Sequence, residues 1–292
     1  MYAANFDYYR PKTVAEAVEL LRKNKDAKVL AGGHSLLPQM KLRVSSPSAL
    51  VDIGRLKGLA GIKAGKKVVT IGALTTHAAI AASDAIKSAC PILAETAAQI
   101  GDIQVRNRGT IGGSLAHADP AADFPTVIVA MDATLTATGP KGEREIPADK
   151  FFKDLFTTAL KSGELLTSIS VPAYGNLPGM GGAYLKHRHP ASSYAVIGVA
   201  AMVGFDASRG QCGRVSLVVG GATVNPVHAA AAEKALTGQA PTEANIAAAA
   251  AKVAEAITSP MSDTYASADY RAHLATVMAR RALMMAAERA KG

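Results

Sequence analysis

Two pairs of adjacent glycines constrain this chain more than any other feature. Each closes a short apolar run, and each is followed within two residues by a hydroxyl side chain. The first lies in V-L-A-G-G-H-S (Val29–Ser35). The second lies in R-N-R-G-T-I-G-G-S-L-A-H-A-D-P-A-A-D-F-P (Arg106–Pro125). Glycines admit a ligand close to backbone N–H groups that a Cβ would shield. Successive N–H groups in a turn form a concave site for an anion such as a phosphate. Thr110 and Ser114 flank the second pair and add hydroxyl donors. Asp119 and Asp123 follow; a carboxylate repels phosphate, so both are expected to face hydroxyls or ring N–H groups. Gly-Gly after a β-branched residue is also a common turn or bulge, and it is the recurrence of the pattern that favours a ligand. Two such loops can close on a pyrophosphate from both sides. Neither is G-x-G-x-x-G or G-x-x-x-x-G-K-[ST], so Rossmann and Walker readings have no motif here.

A length of 292 residues suggests about two domains. No apolar run approaches the roughly 20 residues of a membrane span. The N-terminus lacks the basic-then-apolar order of a secretory signal. The expectation is a cytoplasmic protein that is not integral to a membrane, with a peripheral position at its inner face left open. Cys90 and Cys212 are too few for an ordinary iron–sulfur cluster and read as plain thiols. The net charge is +9, but the basic residues are scattered and aromatics make up only 5%. A single-strand nucleic-acid platform needs more aromatics along a basic groove. The charge is therefore assigned to an anionic cofactor and complementary protein partners, not to nucleic acid.

Along the chain, Thr13 and Glu16 form a capping box for a helix through Val14, Val18 and Leu21. Strands are expected at Lys28–Ala31, leading into the first loop, and at Ala49–Ile53, giving a small β/α sheet with parallel pairs. A strand at Val68–Ile71 precedes an alanine-rich helix capped at Thr75-Thr76-His77, and Pro91–Ile100 reads as a further helix ended by Gly101. Asp123 is placed to cap a short helix containing Pro125, and Asp119, before Pro120, to fix a turn. Thr134–Thr138 and the alternating Leu165, Thr167, Ile169 and Val171 suggest an antiparallel sheet. Pro178–Gly182 marks a domain boundary. Beyond it come strands at Ala183–His187, Ala195–Phe205 and Arg214–Gly220, then helices at roughly Val227–Leu236, Glu243–Ile257 and Ala268–Lys291. Lys186–His189 (K-H-R-H) is weak evidence for a metal. No metal ligand is assigned, and no Ser/His/Asp or Cys/His set that would assign a catalytic residue. His34 reads as a residue whose backbone matters more than its ring.

A-G-G-H-S at Ala31–Ser35, T-I-G-G-S at Thr110–Ser114 and A-D-P-A-A-D at Ala118–Asp123 resemble the FAD-binding medium subunit of molybdenum hydroxylases. The nearest likeness is to aerobic carbon monoxide dehydrogenase medium subunits, with the flavin domain of xanthine dehydrogenase more distant. It runs from F-D-Y-Y-R-P-K-T to the basic C-terminal helix. Ser114 departs from the Asn often found there, which alters one polar contact without removing the site. The resemblance implies an α+β fold: a two-part FAD-binding domain over residues 1–177 (a β/α subdomain of about 1–56, then a mainly antiparallel one of 57–177), followed by an α+β domain over 178–292 with a three-stranded sheet.

The same resemblance implies FAD contacts from Leu30, Ala31, Gly32, Gly33, His34, Ser35 and Leu36 in the first loop. The second loop gives Thr110, Ile111, Gly112, Gly113 and Ser114. Asp123 matches the family's acidic contact and ranks above Asp119. Ile100, Leu166 and Lys186 fall at FAD-contacting positions, and Tyr194 matches a tyrosine near the flavin. Ile100 and Leu166 read equally well as core, and Lys186 as an exposed strand lysine; as a flavin neighbour its cation would stabilise the reduced, anionic form. The implied protein is an oxidoreductase subunit whose hard chemistry belongs to its cofactor. A large subunit with molybdenum cofactor would oxidise substrate, and a small subunit with [2Fe-2S] clusters would relay electrons singly. FAD on this chain would pass them in pairs to a quinone, NAD or oxygen, within a heterohexamer built as a dimer of heterotrimers. The alternative is a stand-alone FAD-dependent oxidoreductase with its own substrate pocket.

Overall fold

The computed structural model describes residues 2–206 and 210–292. Among the described residues there are four sheets: three large ones, and a two-stranded one of Phe152–Asp154 and Thr157–Thr158. The first is parallel, with Ala49–Asp52 between Asp7–Tyr9 and Lys28–Leu30. The helix Val14–Lys23 packs on it because Ala17, Val18 and Leu21 share one apolar stripe, which meets Val51, Ile53, Leu56 and Leu59. Its start is fastened twice: the Thr13 hydroxyl accepts from the Glu16 N–H at 3.1 Å, and the Glu16 carboxylate from the Lys12 N–H at 2.7 Å.

The second sheet is antiparallel, in the order Ile62–Ala64, Val68–Gly72, Leu165–Pro172, Thr134–Gly139, Gly142–Pro147. Alternation along Leu165–Pro172 turns Ile169 and Val171 into the core beside Val69, Ile71 and Leu135. Four short helices cover that face: His77–Ala82, Asp84–Ala89, Pro91–Ala98 and Asp123–Ala130. The alanine-rich stretch after Thr76 is thus two helices. Ser83 ends the first and caps the second, its hydroxyl accepting from Ile86 N–H.

The third sheet has four strands, one more than expected: Met180–Arg188, Ala195–Phe205, Cys212–Gly220 and the short Val227–His228. Val227 does not open a helix, because it pairs with Val219; the helix begins at Ala230. The helix from Glu243 tightens into a 3-10 turn at Ala251–Ala256, and Ala268–Lys291 follows as expected. One face of this sheet lies under these helices, burying Ile197, Val199 and Ala201. On its other face Tyr184, Ala200, Met202 and Val218 join the core of the second sheet. Cys90 and Cys212 are buried free thiols. Among the described residues, no helix is long and apolar enough to cross a membrane.

Candidate functional site

The first loop leaves the parallel sheet after Leu30 and turns through Ala31–Ser35 into the helix Leu36–Lys41. Among the described residues, the N–H groups of Gly32, Gly33, His34 and Ser35 donate to no protein acceptor. They form a run of open donors, as an anion site requires. The His34 Nδ1 lies 3.2 Å from the Gly32 carbonyl oxygen, so its ring braces the loop. A Cβ on Gly32 would overlap the Arg108 carbonyl oxygen. This is where the two loops touch.

The second loop differs from the expected open turn. Its Gly-Gly pair lies inside a helix, Ile111–His117, capped by Thr110, whose hydroxyl accepts from Gly113 N–H at 3.1 Å. The other N–H groups at this end are engaged: Ile111 on Thr75 O, Gly112 on Ala73 O, Ser114 on Thr110 O. The glycines here serve packing instead. A Cβ on Gly112 would meet Ala73 at 2.5 Å, and only its absence lets the helix sit against the end of the strand Val68–Gly72. The approach to it is also helical, over Ile103–Arg108, because Asp102 caps it by accepting from Val105 N–H at 2.8 Å.

Both loops border one cleft of ≈ 770 Å³, within the roughly 300–1,000 Å³ typical of small-molecule sites. Ala31, Gly32, Gly33, His34, Ser35 and Leu36 line it from one side. Thr110, Gly112, Gly113 and Ser114 line it from the other, with Ile100, Asp119, Asp123, Leu166 and Tyr194 between. Three expected residues stand outside it. Leu30 is left out although its neighbours Val29 and Ala31 line the cleft, because alternate residues of a strand face opposite sides; Ile111 is fully buried in the core, and Lys186 lies behind Asp123.

Asp123 is the first residue of its helix rather than the cap, a position held by Ala122. Its carboxylate turns inward because two donors from the third sheet reach it: the Tyr184 hydroxyl at 2.7 Å and the Lys186 ammonium at 2.9 Å. Lys186 is not an exposed strand lysine. Its side chain is 1% exposed, and it also donates to Gln99 O at 3.0 Å and Ser193 O at 2.9 Å. Burial pushes Asp123 up and Lys186 down, each opposed by the other's charge. Burial, and then the Asp123 charge, hold Tyr184 well above its ordinary value, so it remains a donor. Asp119 fixes a turn, accepting from Ala121 N–H at 2.9 Å, and still faces the cleft. Tyr194 is raised by burial and then by the charge of Asp119, and it lines the cleft together with Ser35.

Residues 4–174 match the family model described as the FAD binding domain in molybdopterin dehydrogenase, and residues 182–286 match the CO dehydrogenase flavoprotein C-terminal domain. The chain belongs to this family of FAD-binding flavoprotein subunits. It is 41% identical to the carbon monoxide dehydrogenase medium chain of Afipia carboxidovorans, over all of both chains. It is 40% identical to the 6-hydroxypseudooxynicotine dehydrogenase complex subunit alpha of Paenarthrobacter nicotinovorans, over 100% of this chain and 97% of that one. The solved carbon monoxide dehydrogenase from Hydrogenophaga pseudoflava contains a chain that superposes with a TM-score of 0.94 at 40% identity, covering 99% of each.

The flavoprotein site also holds residues that the sequence did not disclose. His77 lines the cleft and is only 4% exposed. Its ring lies 5.4 Å from that of Phe124, its backbone N–H donates to Gly109 O at 3.0 Å, and its ring Nδ1 has no partner. Burial foremost, then the charges of His34 and Arg106, lower it to about 4. T-T-H at the start of a helix reads as a cap, and Thr76 does cap it, so nothing in the sequence marks the histidine itself. Lys28, just before the first loop, did carry a signal, a cation beside an anion site. Phe156 and His117 also line the cleft, ring against ring at 5.0 Å. The set fits FAD: a run of open N–H donors at a glycine seam, the Ser114 hydroxyl, the Asp119 carboxylate for sugar hydroxyls, the apolar Leu166 and Ile100, and an orphaned imidazole nitrogen. His189 of the K-H-R-H motif packs on Tyr265 at 4.5 Å instead of facing a metal set. Among the described residues, no group of three or more His, Cys, Asp or Glu is placed to hold a metal ion.

Proposed function

We propose that this flavoprotein is the electron-transfer subunit of a three-subunit molybdenum hydroxylase. It would take electrons from a small iron–sulfur subunit and pass them to a quinone, NAD or oxygen, while a large molybdenum subunit oxidises the substrate. The assembly in this reading is a cytoplasmic dimer of heterotrimers. The observation that carries the proposal is the seam of the two loops, where the four open N–H groups of Gly32–Ser35 face a cleft of ≈ 770 Å³. Those donors, with the hydroxyls of Thr110 and Ser114, would hold the pyrophosphate. Asp119 would accept from a ribose hydroxyl. Leu36, Ile100, Leu166 and Tyr194 would wall the rings. Lys186 acts through Asp123: the pair fixes a buried charge at the cleft wall and keeps Asp123 turned from solvent. Bound there, FAD supplies redox chemistry that converts single-electron arrivals into two-electron departures.

Substrate selection is assigned elsewhere. The relatives are named for carbon monoxide and for 6-hydroxypseudooxynicotine, molecules with little chemistry in common, which suits a module that never touches the substrate. We place the domain boundary at residues 177/178, between the spans of the two family models. The test is a visible spectrum of the purified chain before and after mild reductant, with the released chromophore identified. Flavin bands that bleach, together with released FAD and no hydroxylase activity by the single chain, are expected. A folded, colourless protein that refuses added FAD would refute the proposal. Substrate turnover by the chain alone would favour a stand-alone oxidoreductase.

A further inference from the structure

Phe156 is held at a cost. It sits between the strands Phe152–Asp154 and Thr157–Thr158 with φ of 52°, a left-handed conformation that bulky residues avoid. The residue remains 49% exposed. A strained backbone and a wetted ring bring the free chain no benefit, and such outliers gather where a ligand is held. The ring lies against His117, centroids 5.0 Å apart and planes tilted by 35°. His117 ends the helix that carries the second Gly-Gly pair, and both rings line the cleft beside Leu160 and Leu166. Burial first, and also Lys28, hold His117 below its ordinary value against the pull of Asp119, which favours the uncharged ring and its flat face.

FAD carries two flat rings, one beyond each end of its pyrophosphate. The isoalloxazine needs several hydrogen-bond partners along its polar edge, and the hydroxyls of Ser193 and Tyr194 in the cleft lining are open to that purpose. A purine needs chiefly stacking faces. We propose that Phe156 and His117 form the stacking platform for the adenine ring of bound FAD. This rests on the FAD reading above and deepens it.

The test strips flavin from the full chain and titrates it with FAD, FMN and ADP. Aromatic stacking on a base is worth roughly 10-fold or more in affinity on substitution by alanine. Phe156→Ala should therefore weaken FAD and ADP about 10-fold or more and leave FMN unchanged, while Phe156→Tyr retains affinity. Phe156→Gly should show the same loss with a Tm unchanged or raised, because glycine tolerates the positive φ; a merely structural role would lower both together. Unchanged FAD and ADP affinities in Phe156→Ala would overturn the platform, as would a parallel fall in FMN binding. Wild-type chain that binds FAD in those experiments keeps the site reading intact; wild-type chain that binds none removes both.

Discussion

A lysine whose side chain is 1% exposed must have its charge answered, and Lys186 is met by one carboxylate and two carbonyls. Removing one partner of such a pair leaves the other charged in a dry site, at about 3–5 kcal/mol. Lys186→Met is expected to lower the urea midpoint accordingly, and the double change Lys186→Met, Asp123→Asn to recover much of the loss. A double-mutant cycle in urea measures this. His77 carries a pH signature of its own. Its folded value of about 4 lies below the ordinary 6.5. Above 6.5 the ring is neutral folded or unfolded. Between 6.5 and 4 only the unfolded chain takes the proton, so stability falls as the pH falls, by about 3 kcal/mol in total at roughly 1.4 kcal/mol per unit. His77→Gln should flatten the flavin-free stability profile across that window. An unchanged slope there would refute the assignment.

At the level of elements, the glycine seam is decided by backbone contact rather than by side-chain chemistry. Gly32→Ala forces a Cβ onto the Arg108 carbonyl, so the two loops must part. The chain should then purify with less than a tenth of the flavin content of the wild type, read from the absorbance ratio, while Gly58→Ala in the distant turn retains it. The same seam shows what the sequence disclosed. Parallel pairing of the first strands, the capping box at Thr13 and the helix Ala268–Lys291 were all legible, because period and caps are local signals. The pairing of the two loops was legible too, and residues of both line one cleft. The helix Ile111–His117 was not, since Gly112 and Gly113 argue against helix and the packing of Gly112 on Ala73 is a tertiary contact. Asp123 was misplaced as a cap for a like reason: an acidic residue before Phe-Pro satisfies the cap pattern, and Tyr184 and Lys186, which turn it inward, lie far along the chain.

Across the whole molecule, the third sheet is a wall with a core on each side. Tyr184, Ala200, Met202 and Val218 belong to the core of the flavin-site half, and Arg289 reaches across to Glu95 at 2.9 Å. The full chain is therefore expected to melt in one calorimetric transition, with residues 178–292 alone binding a hydrophobic dye. Two separated transitions would show that the halves are independent. The buried pair at the cleft has a consequence of a different order. Mobile ions screen exposed charges over about 8 Å at physiological ionic strength, but they do not enter a dry site. The chain carries a net charge of +9, so added salt should slow encounter with an acidic partner and leave the flavin's midpoint potential where it was. A salt titration thus separates docking from electron affinity in one intact assembly.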